Sequence, residues 1–453
     1  MVTYTDTGAD SVDARTSSGV LGPMGFTLRT KGAVGLAERV ATVSTRFGPT
    51  PRLMVRRLEQ LLEITAAAGF RPTCPITATV LFRHPRSVLA LADGGMELAV
   101  HGLRHNDHLA ESAATQSHEV AEAARLFERC GLQPKGFRAP YLRANAATAA
   151  AVRAAGLIYQ SDAAVAFPVP GLAATLAPTV YERALAMYRA VDGRTVTTRP
   201  SLVDGTVRIP VAIPDDEMLV DRLHFSEAAC ARTWRAIFDI THARGDLFTM
   251  QIHPERIARS ASALASVIAL ASASDGGVWL ARLDEIADWW LARHACRIEM
   301  RPLGDDRAEF ILHGDPRVRM SLVGGAQAAQ PALHARRMIL PVDPMPAVAV
   351  EPGTPDGVLR FLREDGYLVE RGWPSPRSAV HVDRTIDASA ELAIRDRITT
   401  GPTAVLAVDR WPAGFRSALA VTGDIDAMTV QDFWHRMREN GRPAAADGDP
   451  TPL

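Results

Sequence analysis

Cysteine is scarce in this chain, with only four residues among 453. Cys74, Cys130, Cys230 and Cys296 are far apart and show no paired spacing. This pattern excludes the small secreted domains that disulfides hold together, and it argues against a cysteine-based zinc site. We therefore expect reduced thiols, most of them buried in the core.

Excess charge and long apolar runs are also missing. Lys and Arg total 50 against 51 for Asp and Glu, so nothing in the composition favours binding to nucleic acid or to an anionic membrane. No run of eighteen or more uncharged apolar residues occurs, which predicts no membrane span. The first nineteen residues lack the basic start and apolar centre of a signal peptide, so we expect a cytoplasmic location.

The chain does contain a regular alternation of β-prone apolar runs and amphipathic helical runs. Predicted strands such as Thr73–Leu81 and Met96–Val100 alternate with predicted helices such as 50–68 and 110–130. This spacing is typical of βαβ units, which build a parallel sheet or barrel. The predicted division is a flexible lead over 1–32, a β/α barrel over 33–295, a small β-rich module over 296–350, a mixed α/β segment over 351–408, a returning strand and helix over 409–440, and a disordered tail over 441–453.

Two histidines, His101 and His105, follow the predicted strand Met96–Val100. In a β/α barrel the residues just past the carboxyl end of a strand carry the active site, and imidazoles four residues apart can converge on one metal ion. A zinc-like ion would need a further ligand, normally a carboxylate from elsewhere in the chain. Taken alone, such a pair is more often two ordinary hydrogen-bonded histidines.

Further motifs follow the histidine pair along the chain: Arg138-Ala-Pro-Tyr141, Ser161-Asp162 and Ile252-His253-Pro254. Together with His101-Gly-Leu-Arg-His105, this series resembles the active-site motifs of the polysaccharide deacetylases, which include chitooligosaccharide and peptidoglycan deacetylases. The resemblance covers roughly residues 50–295 and implies a distorted (β/α) barrel. The chain departs from the family pattern at Gly102, where the family usually has Ser or Thr.

One motif of that family is missing from its usual place. The family opens with a strand ending in an Asp-containing motif, before the helix that here starts near Thr50. Residues 41–48 precede that helix and contain no carboxylate. Judged on this part of the chain alone, the enzyme would be inactive.

A match to the missing motif stands near the other end of the sequence. Trp411-Pro-Ala-Gly leads into a predicted strand, Ser417–Thr422, and Asp424 and Asp426 follow it. We infer a circular permutation, in which this strand returns to the barrel and inserts beside the strand that begins at Thr73. Without the upstream histidines, the two carboxylates would simply end a strand at a turn.

With that strand in place, the resemblance implies a metal site made of Asp426, His101 and His105. A carboxylate and two imidazoles leave positions open for water and for the substrate oxygen. Zinc suits these ligands best, although cobalt, nickel or iron would also fit. Asp424 would be the general base that takes a proton from the attacking water.

The remaining roles fall to residues of the other motifs. His253 would be the general acid that protonates the departing amine, because an amide nitrogen leaves poorly without a proton. Arg138 would hold Asp424 through a charged hydrogen bond, and the backbone N–H of Tyr141 would help the metal to stabilise the oxyanion. Asp162 or Asp216 could tune a histidine. Other residues receive ordinary roles: His108 facing solvent or capping the next helix, and Trp289 and Trp290 in packing.

Three functions remain open from the sequence. The first is a metal-dependent amidase that removes acetyl from an amino sugar in a polysaccharide, an oligosaccharide or a glycan precursor. The second is a cyclic-amide or other C–N hydrolase on the same barrel, because deacetylase-like barrels with a proline after the final histidine, as in His253-Pro254, also resemble cyclic-amide hydrolases. The third is an inactive barrel that binds carbohydrate, which follows if the C-terminal Asp motif never reaches His101.

Overall fold

A computed structural model describes residues 43, 45–172, 178–325, 334–371, 378–386 and 390–439. The predicted flexible lead and the predicted disordered tail lie outside these residues, as does most of a further helix that the spacing of Val34, Leu36, Val40 and Val43 predicts before Gly48. None of the described helices is long and apolar enough to cross a membrane. All four cysteines are free thiols; Cys74 and Cys230 are buried, whereas Cys130 and Cys296 are partly exposed.

The secondary structure of the described residues follows the predicted alternation through the first part of the chain. The helices are α1 Arg52–Ala66, α2 Ala78–Arg83, α3 Pro85–Asp93, α4 Ala113–Arg129, α5 Ala146–Ala154, α6 Pro178–Tyr188, α7 Glu227–Arg244, α8 Ala261–Ser272, α9 Leu283–His294, α10 Asp356–Glu364, α11 Glu391–Thr399 and α12 Val430–Glu439. The strands are β1 Thr73–Ile76, β2 Glu97–Val100, β3 Gly136–Phe137, β4 Tyr159–Ala166, β5 Val191–Asp192, β6 Ser201–Val203, β7 Thr206–Ile213, β8 Leu247–Ile252, β9 Val278–Leu280, β10 Arg297–Pro302, β11 Arg307–His313, β12 Met320–Val323, β13 Arg337–Pro341, β14 Met345–Val350, β15 Val369–Arg371, β16 Ser378–Val382, β17 Val405–Val408 and β18 Ser417–Gly423.

Seven strands close into a parallel barrel. Their order around the barrel is β4, β3, β2, β1, β18, β8 and β7, and β7 pairs with β4 to close it. Each of these neighbouring pairs is parallel. The short strands β5 and β6 stand at the two ends of the strand order, and β9 pairs in parallel with the first residues of β18. The predicted (β/α) barrel is therefore confirmed.

The C-terminal strand β18 lies inside this barrel, between β1 and β8. Thr422 pairs with Thr73 of β1, and the run Ala418 to Gly423 pairs with Leu247 to Ile252 of β8. All seven residues of β18 are buried. One of the seven barrel strands thus comes from residues 417–423, whereas the other six come from residues 73–252.

The strand predicted over Thr73–Leu81 is wrong in its second half. The strand ends at Ile76, and residues 78–83 form the short helix α2. Thr77 has extended backbone angles and precedes the first helical residue. Because both halves of the run are apolar and buried, hydrophobicity alone could not show where the strand gives way to the helix.

The described residues between 297 and 408 include three small sheets outside the barrel. β10, β11 and β13 make an antiparallel sheet, as predicted for this region. However, β14 pairs in parallel with β15 and β16, and β12 pairs with β17. These pairings cross the boundary predicted at residue 350, because a strand's pattern predicts its buried face but not its partner.

A cluster of tryptophans joins these sheets to the barrel. The rings of Trp290 and Trp411 lie 5.8 Å apart, and both residues are buried. The indole N–H of Trp411 donates to the carbonyl oxygen of Gly245 at 2.9 Å, just before β8. Trp289 is buried as well, so the packing role predicted for Trp289 and Trp290 is confirmed.

Candidate active site

The register of the barrel places the predicted site residues side by side. Val100 pairs with Phe137, so the residues that follow them, His101 and Arg138, are neighbours at one end of the barrel. Gly423 likewise pairs with Ile252, which brings Asp424 next to His253. Parallel strands end at the same edge, so four motifs distant in sequence share one mouth.

Three of these side chains form a group that could hold a metal ion: His101, His105 and Asp426. Asp426 Oδ1 lies 3.4 Å from His101 Nε2 and 3.3 Å from His105 Nε2. Ligand atoms bound to a tetrahedral zinc at about 2.1 Å stand roughly 3.4 Å apart. The spacing of the three donor atoms therefore suits such an ion.

The protonation of the group also fits a metal ion. His101 Nδ1 is 2.8 Å from the carbonyl oxygen of Arg138, so its proton points there and Nε2 presents a lone pair. Burial lowers the pKa of His105 well below its usual value, against the raising effect of Asp426, which favours the neutral ring. Burial opposes the charge of Asp426, yet His105 and Arg436 together keep its pKa well below the usual range. Asp426 Oδ1 is buried and has no hydrogen-bond donor among the described residues.

Arg138 and Asp424 form a buried ion pair behind this group. Arg138 donates to Asp424 Oδ1 at 2.7 Å and to the hydroxyl of Thr422 at 2.8 Å. The guanidinium also donates to the carbonyl oxygen and the hydroxyl of Ser161 at 2.9 and 3.0 Å. Gln251 donates to the other oxygen of Asp424 at 2.9 Å. These bonds hold the Asp424 carboxylate in one orientation, with Oδ2 4.0 Å from His101 Nε2.

His253 is paired with Asp216 on the opposite side of the mouth. Asp216 Oδ1 is 2.8 Å from His253 Nδ1, and Oδ2 accepts the backbone N–H of His253 at 2.9 Å. Burial disfavours the imidazolium, but the charge of Asp216 and its hydrogen bond outweigh this and raise the pKa of His253 well above its usual value. These surroundings favour the protonated ring of His253, which could then give up a proton.

Tyr141 closes one wall of the mouth in an unusual backbone conformation. Its φ angle is 59°, a left-handed value that costs energy for a residue with a side chain. Its ring packs edge-on against His105, with centroids 4.5 Å apart. A cavity of about 360 Å³ opens here, lined by Tyr141, His253, Asp426 and other predicted site residues, with Arg138 buried behind them.

Residues 45–159 match the model of the polysaccharide deacetylase family. The chain carries a polysaccharide deacetylase domain. The matched range includes His101, His105, Arg138 and Tyr141, while Asp424 and Asp426 come from outside it. A comparison with curated proteins gave no match.

Several solved structures are distantly similar to this chain. A protein from Mycobacterium smegmatis that is described as a polysaccharide deacetylase is 23% identical. The match covers 60% of this chain and 86% of that chain, with a TM-score of 0.43. The Puue allantoinase is 20% identical, with 52% of this chain and 72% of the allantoinase chain covered and a TM-score of 0.41. A family 4 carbohydrate esterase from Streptomyces lividans, solved in complex with acetate, is 25% identical. The match covers 24% of this chain and 57% of the esterase chain, with a TM-score of 0.23.

The departure of the deacetylase domain at Gly102 has a steric reason. Gly102 has a φ angle of +79°, which residues with a side chain rarely adopt. A Cβ atom there would lie 2.7 Å from the carbonyl oxygen of Arg104. The turn between His101 and His105 in this chain therefore excludes the Ser or Thr that the family usually has.

Two residues lie elsewhere than predicted in the deacetylase domain. His108 does not face solvent; it is completely buried, with its ring 5.5 Å from that of Phe137. The polar sequence around it, His105-Asn-Asp-His108, concealed that the loop turns inward. Of the two acids expected to tune a histidine, Asp216 does contact one, whereas Asp162 lies against Gln160 and Arg208.

The candidate site also contains residues that the sequence did not single out. Gln251 is on β8, two positions before His253. Because side chains alternate between the two faces of a strand, this spacing could have indicated that Gln251 faces the same side as His253. Arg436 on α12 contacts Asp426 Oδ2, the oxygen turned away from the histidines. It lies ten residues after Asp426. No sequence pattern pointed to that contact.

Proposed function

We propose that this protein is a metal-dependent hydrolase that removes the N-acetyl group from an amino sugar of a polysaccharide, an oligosaccharide or a glycan precursor. The observation that carries the proposal is the convergence of His101, His105 and Asp426 within metal-binding distance at the mouth of a deacetylase barrel. The same geometry argues against an inactive barrel, since that hypothesis required the C-terminal Asp motif to stay away from His101.

The three ligands would hold a divalent cation, and zinc suits two imidazoles and a carboxylate best. When bound, such a cation supplies a Lewis acid for the acetyl carbonyl and increases the acidity of water. Arg436 contacts Asp426 Oδ2 and so leaves Oδ1 facing the two histidines. We assign Arg436 a positioning role on that ligand.

Asp424 would act as the general base toward the attacking water. The carboxylate accepts hydrogen bonds from Arg138 and Gln251, which fix its orientation without occupying all of its acceptor sites. The backbone N–H of Tyr141 would donate to the oxygen of the acetyl group as negative charge develops there.

His253 would deliver a proton to the sugar nitrogen as the C–N bond breaks. Asp216 raises the pKa of His253 against the effect of burial, which favours the protonated ring that this role requires. An amine cannot leave efficiently as an anion, so this proton decides whether the tetrahedral intermediate goes forward or returns to substrate. Asp424 and His253 thus receive opposite proton-transfer roles from their different surroundings.

We infer that the chain is a circular permutant of the family. The strand that ends in the Asp motif opens the barrel in the family, whereas here β18 follows all the other barrel strands in sequence. The support is its position between β1 and β8, with the register that sets Asp424 beside His253.

Acetate release from a panel of N-acetylated mono- and oligosaccharides tests the function. Wild-type protein should release acetate, lose activity on chelation and regain it with zinc. Asp426→Asn and His105→Asn should lose both the metal and at least about 100-fold in kcat/KM, because a missing ligand removes the Lewis acid. His118→Asn, a change at an exposed histidine on α4, is the matched control and should behave as wild type. Wild-type protein that binds no metal, or that opens allantoin and releases no acetate, would contradict the proposal.

A further inference from the structure

A second group of potential metal ligands lies beyond the catalytic mouth. It consists of His108, Glu111 and Glu119, each offering one donor atom within 4.8 Å of the other two. His108 and Glu111 belong to the loop that follows His105, and Glu119 lies on helix α4. The group therefore joins the loop that carries one proposed catalytic ligand to the helix behind it.

The donor atoms of this group are buried, and both ring nitrogens of the histidine lack a partner among the described residues. His108 is 0% exposed and Glu119 is 6% exposed. Both ring nitrogens of His108 have no hydrogen-bond partner within the part of the chain that the structure describes, and the carboxyl groups of Glu111 and Glu119 interact with each other. Buried polar atoms without partners are rare in folded proteins, because such an atom loses its hydrogen bonds to water and gains none in return. The group thus has the vacant donor atoms that a bound ion would satisfy.

The charges of the group favour a cation as well. Burial lowers the pKa of His108 to about 4, so the ring is neutral and has a lone pair to share. Burial, and next the charge of Glu111, raise the pKa of Glu119 to about 7, against the exposed Arg104 and a hydrogen bond from Asn106. Two carboxylates this close need a positive charge between them, which either a shared proton or a cation supplies.

We propose that His108, Glu111 and Glu119 bind a second divalent cation of the zinc class. One imidazole nitrogen and two carboxylate oxygens suit zinc, manganese, cobalt or iron. None of the three residues lines the catalytic cavity, so this ion would be structural. It would stabilise the turn between His105 and α4, which already rests on two hydrogen bonds from Gln116 to the carbonyl oxygens of His108 and Glu111.

Zinc stoichiometry in the full chain tests this site separately from the catalytic one. The protein is stripped with a chelator, exposed to Zn²⁺ alone, freed of loose ions by gel filtration and analysed by mass spectrometry of the metal. Wild type should hold two zinc ions and Asp426→Asn one, whereas Asp426→Asn with Glu119→Gln should hold none. The matched control is Asp426→Asn with Glu122→Gln, a change on the same helix at a residue paired with Arg125, and it should keep one ion.

A second measurement guards against variants that fail to fold. In the Asp426→Asn background, Zn²⁺ should raise the melting temperature, and adding Glu119→Gln or Glu111→Gln should abolish the rise while circular dichroism remains unchanged. Asp426→Asn that binds no zinc overturns the second site, because the glutamates then share only a proton. Wild type that loses its only zinc in Glu119→Gln but keeps it in Asp426→Asn would support the second site and contradict the proposed catalytic one.

Discussion

Replacing Arg138 with methionine should destabilise the barrel, because it leaves a buried carboxylate without its counter-charge. The guanidinium is fully buried and donates to Asp424, Thr422 and Ser161 at 2.7 to 3.0 Å. Methionine fills much of the space but leaves the Asp424 carboxylate, which is 3% exposed, without its counter-charge. Removing one partner of a buried ion pair costs about 3–5 kcal/mol, against about 1 kcal/mol for an ordinary hydrogen bond.

Urea unfolding of metal-free protein measures this penalty. Arg138→Met should lose about 3–5 kcal/mol of unfolding free energy, a large part of the 5–15 kcal/mol typical of a domain. Arg138→Met with Asp424→Asn should recover about 2 kcal/mol of that loss, because no uncompensated charge remains. Arg125→Met, at an arginine whose side chain is 65% exposed, should change stability by less than about 0.5 kcal/mol. The reasoning fails if the double variant is destabilised by the sum of the two single changes.

Two other changes test the site and the barrel. Asp216→Asn removes the charge that raises the pKa of His253, so the fall of kcat/KM at high pH should move to lower pH. The control Asp162→Asn should leave the pH profile unchanged. An unmoved pH profile for Asp216→Asn would exclude His253 as the general acid. Truncation before Trp411 removes β18 and leaves β1 and β8 with open edges, so the chain should melt at least about 10 °C lower or aggregate, and show no activity. A truncated chain with unchanged melting temperature and turnover would contradict the role of β18.

The barrel was predictable because its signals are local and repeated. Each strand of the βαβ units carries its own apolar run, and the polar residues that end the strands carry the motifs. The bounds were less predictable where apolar character continues across a change of structure, as from β1 into α2. Sequence pattern likewise could not show that β12 pairs with β17, since that choice depends on how the whole region packs.

The residues of the candidate site likewise differ in how far the sequence could predict them. His101, His105 and Arg138 follow strands that pair in the barrel, so knowing the fold was enough to bring them together. Arg436 and the buried His108 depend instead on how a helix and a loop pack, which no periodicity encodes. The sequence predicted that His108 would face solvent or cap the next helix, yet it is buried and belongs to the group for which we propose a second cation.

Strand register, rather than chain order, determines this site. Any connection that delivers a parallel strand between β1 and β8 in the observed register sets Asp424 beside His253 and Asp426 beside His101. The entropic cost of a longer loop grows slowly, by about 0.6 kcal/mol for each doubling of its length, so the small sheets between β9 and β18 add little to the cost of closing the barrel. The packing of Trp411 against Trp290 then fixes where β18 enters, and the acidic pair at its end meets the histidines from the other end of the chain.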